Sequence, residues 1–331
     1  MPRFMPANLP VYSIPENPLD PTVLPSLLVA DDSVGRLDER ARGSVLRGPW
    51  NERLLYRNAC AAMHAQNCLV YLEDLVLLDG FAFSGTIYPE LSAALGILKL
   101  WQRALQDSAS TLLAAPMPGE AARPLEWEMK ADDAGAQERP DFFYDPSWDG
   151  SARLDRWRAI YRATADLPPL LAAAFAWDAW NVLAPEQQGP WRAPLLAALV
   201  LRARSKTKHL LLPLDSGQKL LRKRWSAADG QNVRIRDFLD IAAAAAKLAG
   251  TELSGLESAK ERMCLGLRSV RKHSHLAGLI ELIIAKPLVS IPMACKALGI
   301  SKQALRALIP KLGSTPREIS ERKRYRYWTV P

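Results

Sequence analysis

Along most of this chain apolar residues return every three or four positions, the spacing that gathers them on one face of an α-helix. The run "NERLLYRNACAAMHAQNCLVYLEDLVLLDG", residues 51–80, keeps that spacing and predicts helix, with Asn51 as a candidate N-cap and Gly80 as the stop. After the turn "GFAFSGTI" the pattern predicts another helix over 88–105. Helical periodicity returns at Ser151 and runs to Leu248, broken at Pro168–Pro169 and between Pro185 and Pro190. "DIAAAAAKLAG", residues 240–250, joins the best helix former to a terminal glycine, Gly250. Strand-like alternation is scarce before the last dozen residues. A mainly α fold is expected, and no internal repeat is visible.

Two stretches carry no helical period. The first 25 residues hold seven prolines and read as an extended arm or a strap over the surface. Residues 116–150 are proline-rich, glycine-containing and acidic, the composition of a long connection or insertion. The expected organisation is an arm over 1–28, an N-terminal helical region over 29–115 and an acidic linker over 116–150. A helical domain over 151–272 and a C-terminal domain over 273–331 complete it.

That last domain has the most informative spacing. "HLAGLIELIIAK" places Leu276, Leu279, Ile280 and Ile283 on one helix face. Ser290 is placed to cap a second helix, with Pro292 tolerated in its first turn. This helix runs to Leu298, and Gly299 supplies the positive φ of a sharp turn. Ile300 then tucks inward and Ser301 caps a third helix. A helix-turn-helix needs a small residue where its helices touch, a glycine four positions later and apolar anchors on both sides. Cys295, Gly299 and the anchors Leu298, Ile300, Leu305 and Leu308 meet that pattern. Lys302, Gln303, Arg306 and Ala307 are left facing outward. Glutamine can pair with adenine, arginine with guanine and lysine with phosphate, so this edge suits a major groove. "REIS" and "YRYWTV" then read as short strands around the basic tip "ERKR", the layout of a wing. The candidate DNA contacts are Lys302, Gln303 and Arg306 at base edges and Ser301 and Lys311 near phosphates. Arg322, Lys323, Arg324 and Arg326 would lie on the wing.

Charge supports a polyanionic partner. The net charge of +8 is unevenly spread: from Ser205 onward there are 24 Lys/Arg against 10 Asp/Glu, while the preceding part is acidic. Between Ser301 and Pro331 eight basic residues face two acidic ones, an imbalance that gains affinity by counterion release. No apolar run reaches the roughly 18 residues of a bilayer span, and the N-terminus lacks the apolar stretch of a signal peptide. A cytoplasmic protein with no membrane association is expected. Four cysteines make no disulfide framework in so long a chain. Cys60, His64 and Cys68 fall at i, i+4 and i+8, yet one helix face supplies three ligands at most, and buried packing is the expected role. No metal or other cofactor is expected.

Other candidate chemistry is thin. "KTKHLLLPLDSGQKLLRKRW", 206–225, concentrates cations around His209 and Asp215 but lacks the first glycine and the G-K-S/T ending of a phosphate loop. A solvated basic loop and helix, a second phosphate contact with DNA and a nucleotide site are its three readings. Glu73, Asp74 and Asp79 point about 100° or more apart on a helix and are expected to face solvent.

The phrases "ACAAMHAQNCLVYLEDLVLLDG", "LAAAFAWDAWNVLAPEQQGPW" and "KPLVSIPMACKALGISKQALRAL" resemble a family of uncharacterised bacterial proteins. That family has a helical domain of unknown function followed by a C-terminal helix-turn-helix. The resemblance covers most of the chain from about residue 45, and function there is inferred from the domains. More remotely, the layout is similar to Fic-type proteins, helical enzymes that transfer AMP through a loop H-x-F-x-D/E-G-N-G-R and often end in a winged helix. The corresponding loop would be "APEQQGPWR". Only Gly189 and Arg192 fit; Ala184 stands at the histidine position and Pro190 at the asparagine. Transfer would then lack its general base. The regulatory helix of that family would fall on "AMHAQN", where Ala62 and Gln66 replace the serine and glutamate and only Asn67 is compatible. The resemblance therefore implies a degenerate, non-catalytic Fic-like bundle.

These features point to a transcriptional regulator rather than an enzyme. It would bind double-stranded DNA through a winged helix, as a homodimer on two half-sites. Two alternatives stay open: a Fic-like AMP transferase with a rebuilt site, and an antitoxin or other protein-interaction module.

Overall fold

The computed structural model of the protein describes residues 10–80, 83, 85–114, 148–186, 192–265, 275–313, 315–319 and 327–330. Among them run thirteen α-helices. They are α1 (Leu24–Gly43), α2 (Arg47–Ala65), α3 (Leu72–Asp79), α4 (Pro89–Gln106), α5 (Ala109–Ala114), α6 (Gly150–Ala163) and α7 (Pro169–Leu183). There follow α8 (Arg192–Ala203), α9 (Leu214–Leu221), α10 (Gln231–Leu265), α11 (Leu276–Ala285), α12 (Ile291–Leu298) and α13 (Lys302–Leu308). Three short strands, β1 (Val289–Ser290), β2 (Arg317–Ile319) and β3 (Tyr327–Thr329), form one antiparallel sheet in the order β1-β3-β2. The mainly α expectation is met. No helix among the described residues is long and apolar enough to cross a membrane.

The chain divides into two compact units, and α1 and α10 give residues to both. The first takes in 1–31, 107–206 and 224–240. Its centre is α7, in which every residue from Leu170 to Trp180 is buried. A sequence that is apolar on all sides makes a helix surrounded by others, and its alanines let α6 and α8 pack closely. Asp178 interrupts this run and is completely buried. Its carboxylate accepts from Arg234 Nε at 2.6 Å and Nη2 at 3.1 Å, from Trp225 Nε1 at 2.7 Å and from the Tyr12 hydroxyl at 3.1 Å. Burial, reinforced by the negative charge of Asp178, lifts the Tyr12 hydroxyl far above its usual range. The proline-rich arm is non-helical from residue 10 to 19, as expected, and Tyr12 pins it. Helix α1 starts at Leu24, earlier than the periodicity placed it. Asp20 opens that turn, its side chain accepting from Thr22 N at 2.8 Å. The acidic stretch from 116 to 147 lies outside the described residues.

The second unit comprises 32–106, 207–223 and 241–331. Helix α2 is its hub, packed against α3, α4, α9 and α11. Twelve of its residues are buried, Trp50, Leu54, Leu55, Tyr56 and Met63 among them; each large apolar side chain contributes about 1.5–3 kcal/mol. Asn51 is not the N-cap. It lies one turn inside α2, where its amide donates to the His209 carbonyl at 2.9 Å. Gly80 does stop α3, its N–H donating to the Val76 carbonyl. The i, i+4, i+8 face of Cys60, His64 and Cys68 is also corrected, since α2 ends at Ala65 and Asn67 takes a φ of 60° before Cys68. Among the described residues no three His, Cys, Asp or Glu side chains are grouped to hold a metal ion.

Asp79 does not face solvent. It accepts from the Tyr56 hydroxyl and from Lys99 Nζ, and its side chain is only 8% exposed. Within 206–225 the expectation of a solvated stretch fails at its centre, because Leu210–Leu212 and Asp215–Gly217 are buried. Lys208, Lys219 and Arg222 are exposed. Nor does Gly250 end a helix: α10 continues to Leu265.

Candidate nucleic-acid interface

The C-terminal residues assemble as their spacing predicts. Leu276, Leu279, Ile280 and Ile283 of α11 are all buried. Ser290 is the N-cap of α12, accepting from Met293 N at 3.3 Å, with Pro292 in the first turn. Gly299 takes a φ of 65°, the left-handed conformation that ends α12. Ile300 N donates to the Cys295 carbonyl at 3.2 Å, which closes the turn. Ser301 caps α13, accepting from Ala304 N at 3.2 Å. These interactions span a few residues each, so local sequence sets them.

Burial divides α13 into two edges. Leu305 is 1% exposed and faces inward. Ser301, Lys302, Gln303, Arg306 and Ala307 are exposed, as is Lys311 in the 3-10 turn Ile309–Leu312. Among the described residues no carboxylate forms an ion pair with Lys302, Arg306 or Lys311. Ile300, Leu298 and Leu308 are half-buried, so Leu305 alone among the expected anchors is fully inside.

The sheet completes this region. Val289 pairs with Trp328 and Ser290 with Tyr327, while β2 pairs along the other edge of β3 from Arg317↔Thr329 to Ile319↔Tyr327. Strand β1 was missed in the sequence because two residues show no alternation. Its only signal is the apolar Leu288–Val289, and both are buried. Arg317, exposed on β2, adds a cation not singled out before. Arg322, Lys323, Arg324 and Arg326 lie outside the described residues.

This region is held within its unit by side chains that the motif does not contain. Arg53 of α2 is completely buried. It donates through Nη2 to the Val330 carbonyl at 2.6 Å and through Nη1 to those of Lys286 at 2.9 Å and Ile283 at 3.4 Å. Its Nε lies 3.1 Å from Glu252 Oε1. Burial draws the guanidinium down to about 10, against the pull of Glu252, so it remains charged at neutral pH. Lys286 donates to the Tyr56 hydroxyl at 2.7 Å and stands 3.9 Å from Asp79. Burial works to raise the Asp79 carboxyl, but Lys99, Tyr56 and Lys286 outweigh it and hold it below its usual range. Met293 of α12 seats on Gly80, where a Cβ would meet the Met293 methyl at 3.0 Å. An arginine and a glycine in a helical stretch give no sequence signal of such contacts.

In the other unit, Ala184 ends α7 in the left-handed conformation at φ 43°. Arg192 is paired with Glu186 at 2.6 Å, both largely buried. Residues 187–191 of the stretch "APEQQGPWR" lie outside the described residues.

Comparison with known proteins places these features. Residues 276–330 match the family model of an HTH DNA binding domain, and residues 142–268 match that of a protein of unknown function (DUF1612). A crystal structure of a Fic family protein from Desulfovibrio desulfuricans G20 is 16% identical, with a TM-score of 0.47 over 96% of this chain and 98% of that chain. The uncharacterized protein y4cF of Sinorhizobium fredii (strain NBRC 101917 / NGR234) is 32% identical over 89% of this chain and 93% of its own length. The chain belongs to the family of that Sinorhizobium protein, as a DUF1612 chain ending in a helix-turn-helix DNA-binding domain.

Proposed function

We propose that this protein is a sequence-specific DNA-binding transcriptional regulator that reads a major groove with α13 of a winged helix. Lys302, Gln303 and Arg306 contact base edges, and Ser301 and Lys311 contact phosphate. Arg322, Lys323, Arg324 and Arg326 lie along the backbone from the wing. The observation that carries this reading is the division of α13, with Leu305 inside and an exposed cationic, amide-bearing edge outside that makes no ion pair among the described residues. The match to an HTH DNA binding domain supports the same partner.

The protein acts in the cytoplasm as a homodimer, since one module of this size binds modestly and two half-sites multiply the affinity. The rest of the chain is non-catalytic. In support, alanine at 184 offers no imidazole to remove a proton, and Arg192 is already engaged by Glu186.

Selection of duplexes from a randomised pool, followed by titration at several salt concentrations, tests this reading. One enriched sequence, bound about 10³-fold or more above random duplex, is expected. Equal, weak binding of every duplex would reduce the module to a non-specific cationic surface. A melting midpoint raised by ATP would speak against a non-catalytic body.

A further inference from the structure

We propose that Arg53, on α2 and outside the residues matched by the DNA-binding module, is a positioning residue for DNA recognition. Its guanidinium grips both the exit of α11 and the residue after β3, and so fixes α13 relative to the β1-β3-β2 sheet. The inference rests on the DNA-binding reading above.

The arrangement suits a fixing role. The Val330 carbonyl ends the strand that lies at the centre of the sheet, between β1 and β2. The Lys286 and Ile283 carbonyls end α11, and only Pro287 and Leu288 separate Lys286 from β1. Directly after β1 comes α12, and then α13. One planar cation therefore holds both the segment that leads through β1 to the reading helix and the residue that follows β3. The same segments are tied to each other by Thr329, whose hydroxyl donates to the Pro287 carbonyl at 2.6 Å. Glu252 holds the guanidinium through Nε, with Arg57 3.6 Å from the same oxygen.

A buried ion pair is a costly way to add stability, because apolar residues of like volume do as well or better. What arginine offers here is directional: donors on three coplanar nitrogens reach carbonyls on separate segments, a spread that the single nitrogen of a lysine ammonium lacks. Lys286 on Tyr56, Met293 on Gly80 just after α3 and Lys260 on Glu281 of α11 bear on the same region. Base readout depends on side chains kept within a fraction of an ångström, whereas non-specific attraction to phosphate tolerates slack. Loss of the grip is therefore read in specificity before it is read in total binding.

The experiment uses the full chain and the duplex that the wild type selects from a randomised pool. Arg53→Lys keeps the charge and loses the fork. Glu252→Gln keeps Arg53 and weakens its tether, and it serves if the first variant does not fold. Asn58→Ala removes a buried hydrogen-bonding side chain elsewhere in the unit and controls for lost stability. Binding is measured well below each melting midpoint. We expect Arg53→Lys to lose on the order of ten-fold in affinity for the selected duplex. Its binding to random duplex and its salt dependence stay unchanged, Glu252→Gln shows a smaller loss of the same kind, and Asn58→Ala shows none. Folded Arg53→Lys and Glu252→Gln variants with wild-type preference would overturn the inference alone. So would a specificity loss in Asn58→Ala as large as theirs, since stability would then explain it. A wild type that selects no duplex overturns the DNA reading itself.

Discussion

Gly217 of α9 and Ile241 of α10 meet backbone to backbone: a Cβ on residue 217 would stand 2.4 Å from the Ile241 carbonyl oxygen and 2.9 Å from the Ala245 Cβ. The two helices touch there with no side chain between them. In an isolated helix alanine is better than glycine by about 1 kcal/mol. Here the backbone must part to admit it, so Gly217→Ala is expected to destabilise by about 1–3 kcal/mol. Chemical denaturation checks this, and a gain in stability would contradict the contact.

Asp215, two residues earlier, is buried with one strong partner, the Asn58 amide at 2.8 Å. Burial pushes its carboxyl from 3.8 up to about 7, partly offset by Asn58. The folded chain therefore keeps a proton that the unfolded chain releases. Stability contributed at this site is greatest below the ordinary value, falls as pH rises from about 4 to 7, and levels off above. Asp215→Asn, permanently neutral, should match the wild type near pH 4 and melt several degrees higher at pH 8. Parallel melting curves of the two proteins across that range would dismiss the effect.

Asp178 presents the opposite case, a buried carboxylate fully engaged. Asp178→Ala removes the acceptor that Arg234, Trp225 and Tyr12 share, leaving Tyr12 only the Phe175 carbonyl at 3.4 Å. A loss of about 3 kcal/mol is expected, because three donors lose one fully buried acceptor at about 1 kcal/mol each. Tyr12→Phe removes one donor and should cost about 1 kcal/mol. Urea unfolding compares the two; equal losses would mean that the Arg234 pair adds nothing.

On the DNA side, Arg306→Ala is expected to cost about 1–3 kcal/mol at the selected sequence and to relax preference at one position. Lys323→Ala should weaken all duplexes alike and lower the salt slope by about 1. Binding titrations on selected and random duplexes separate these outcomes. An Arg306 variant with unaltered preference would remove that residue from the readout.

How much was legible in the sequence varies with the range of the interaction. The ends of α12 and α13 were readable because Ser290, Gly299 and Ser301 act on backbone groups within one turn. The extent of α10 was not, since Gly250 sits within that helix, where a Cβ would touch Leu37 at 3.7 Å. Asn51 read as a cap by its type, yet it spends its amide on His209, far along the chain. Strand β1 exists only because Trp328 and Tyr327 come back to pair with it.

By itself, then, the sequence determined the helical class, the helix-turn-helix with its two serine caps, and the cationic edge of α13. Periodicity and capping are settled within a turn or two of chain. Only the tertiary structure decided that Asp178, Asp215 and Arg53 are interior, and that Arg53 serves the end of a strand 277 residues later. A charge can be buried only where remote segments bring it partners, and the distance between those segments in sequence carries no local trace.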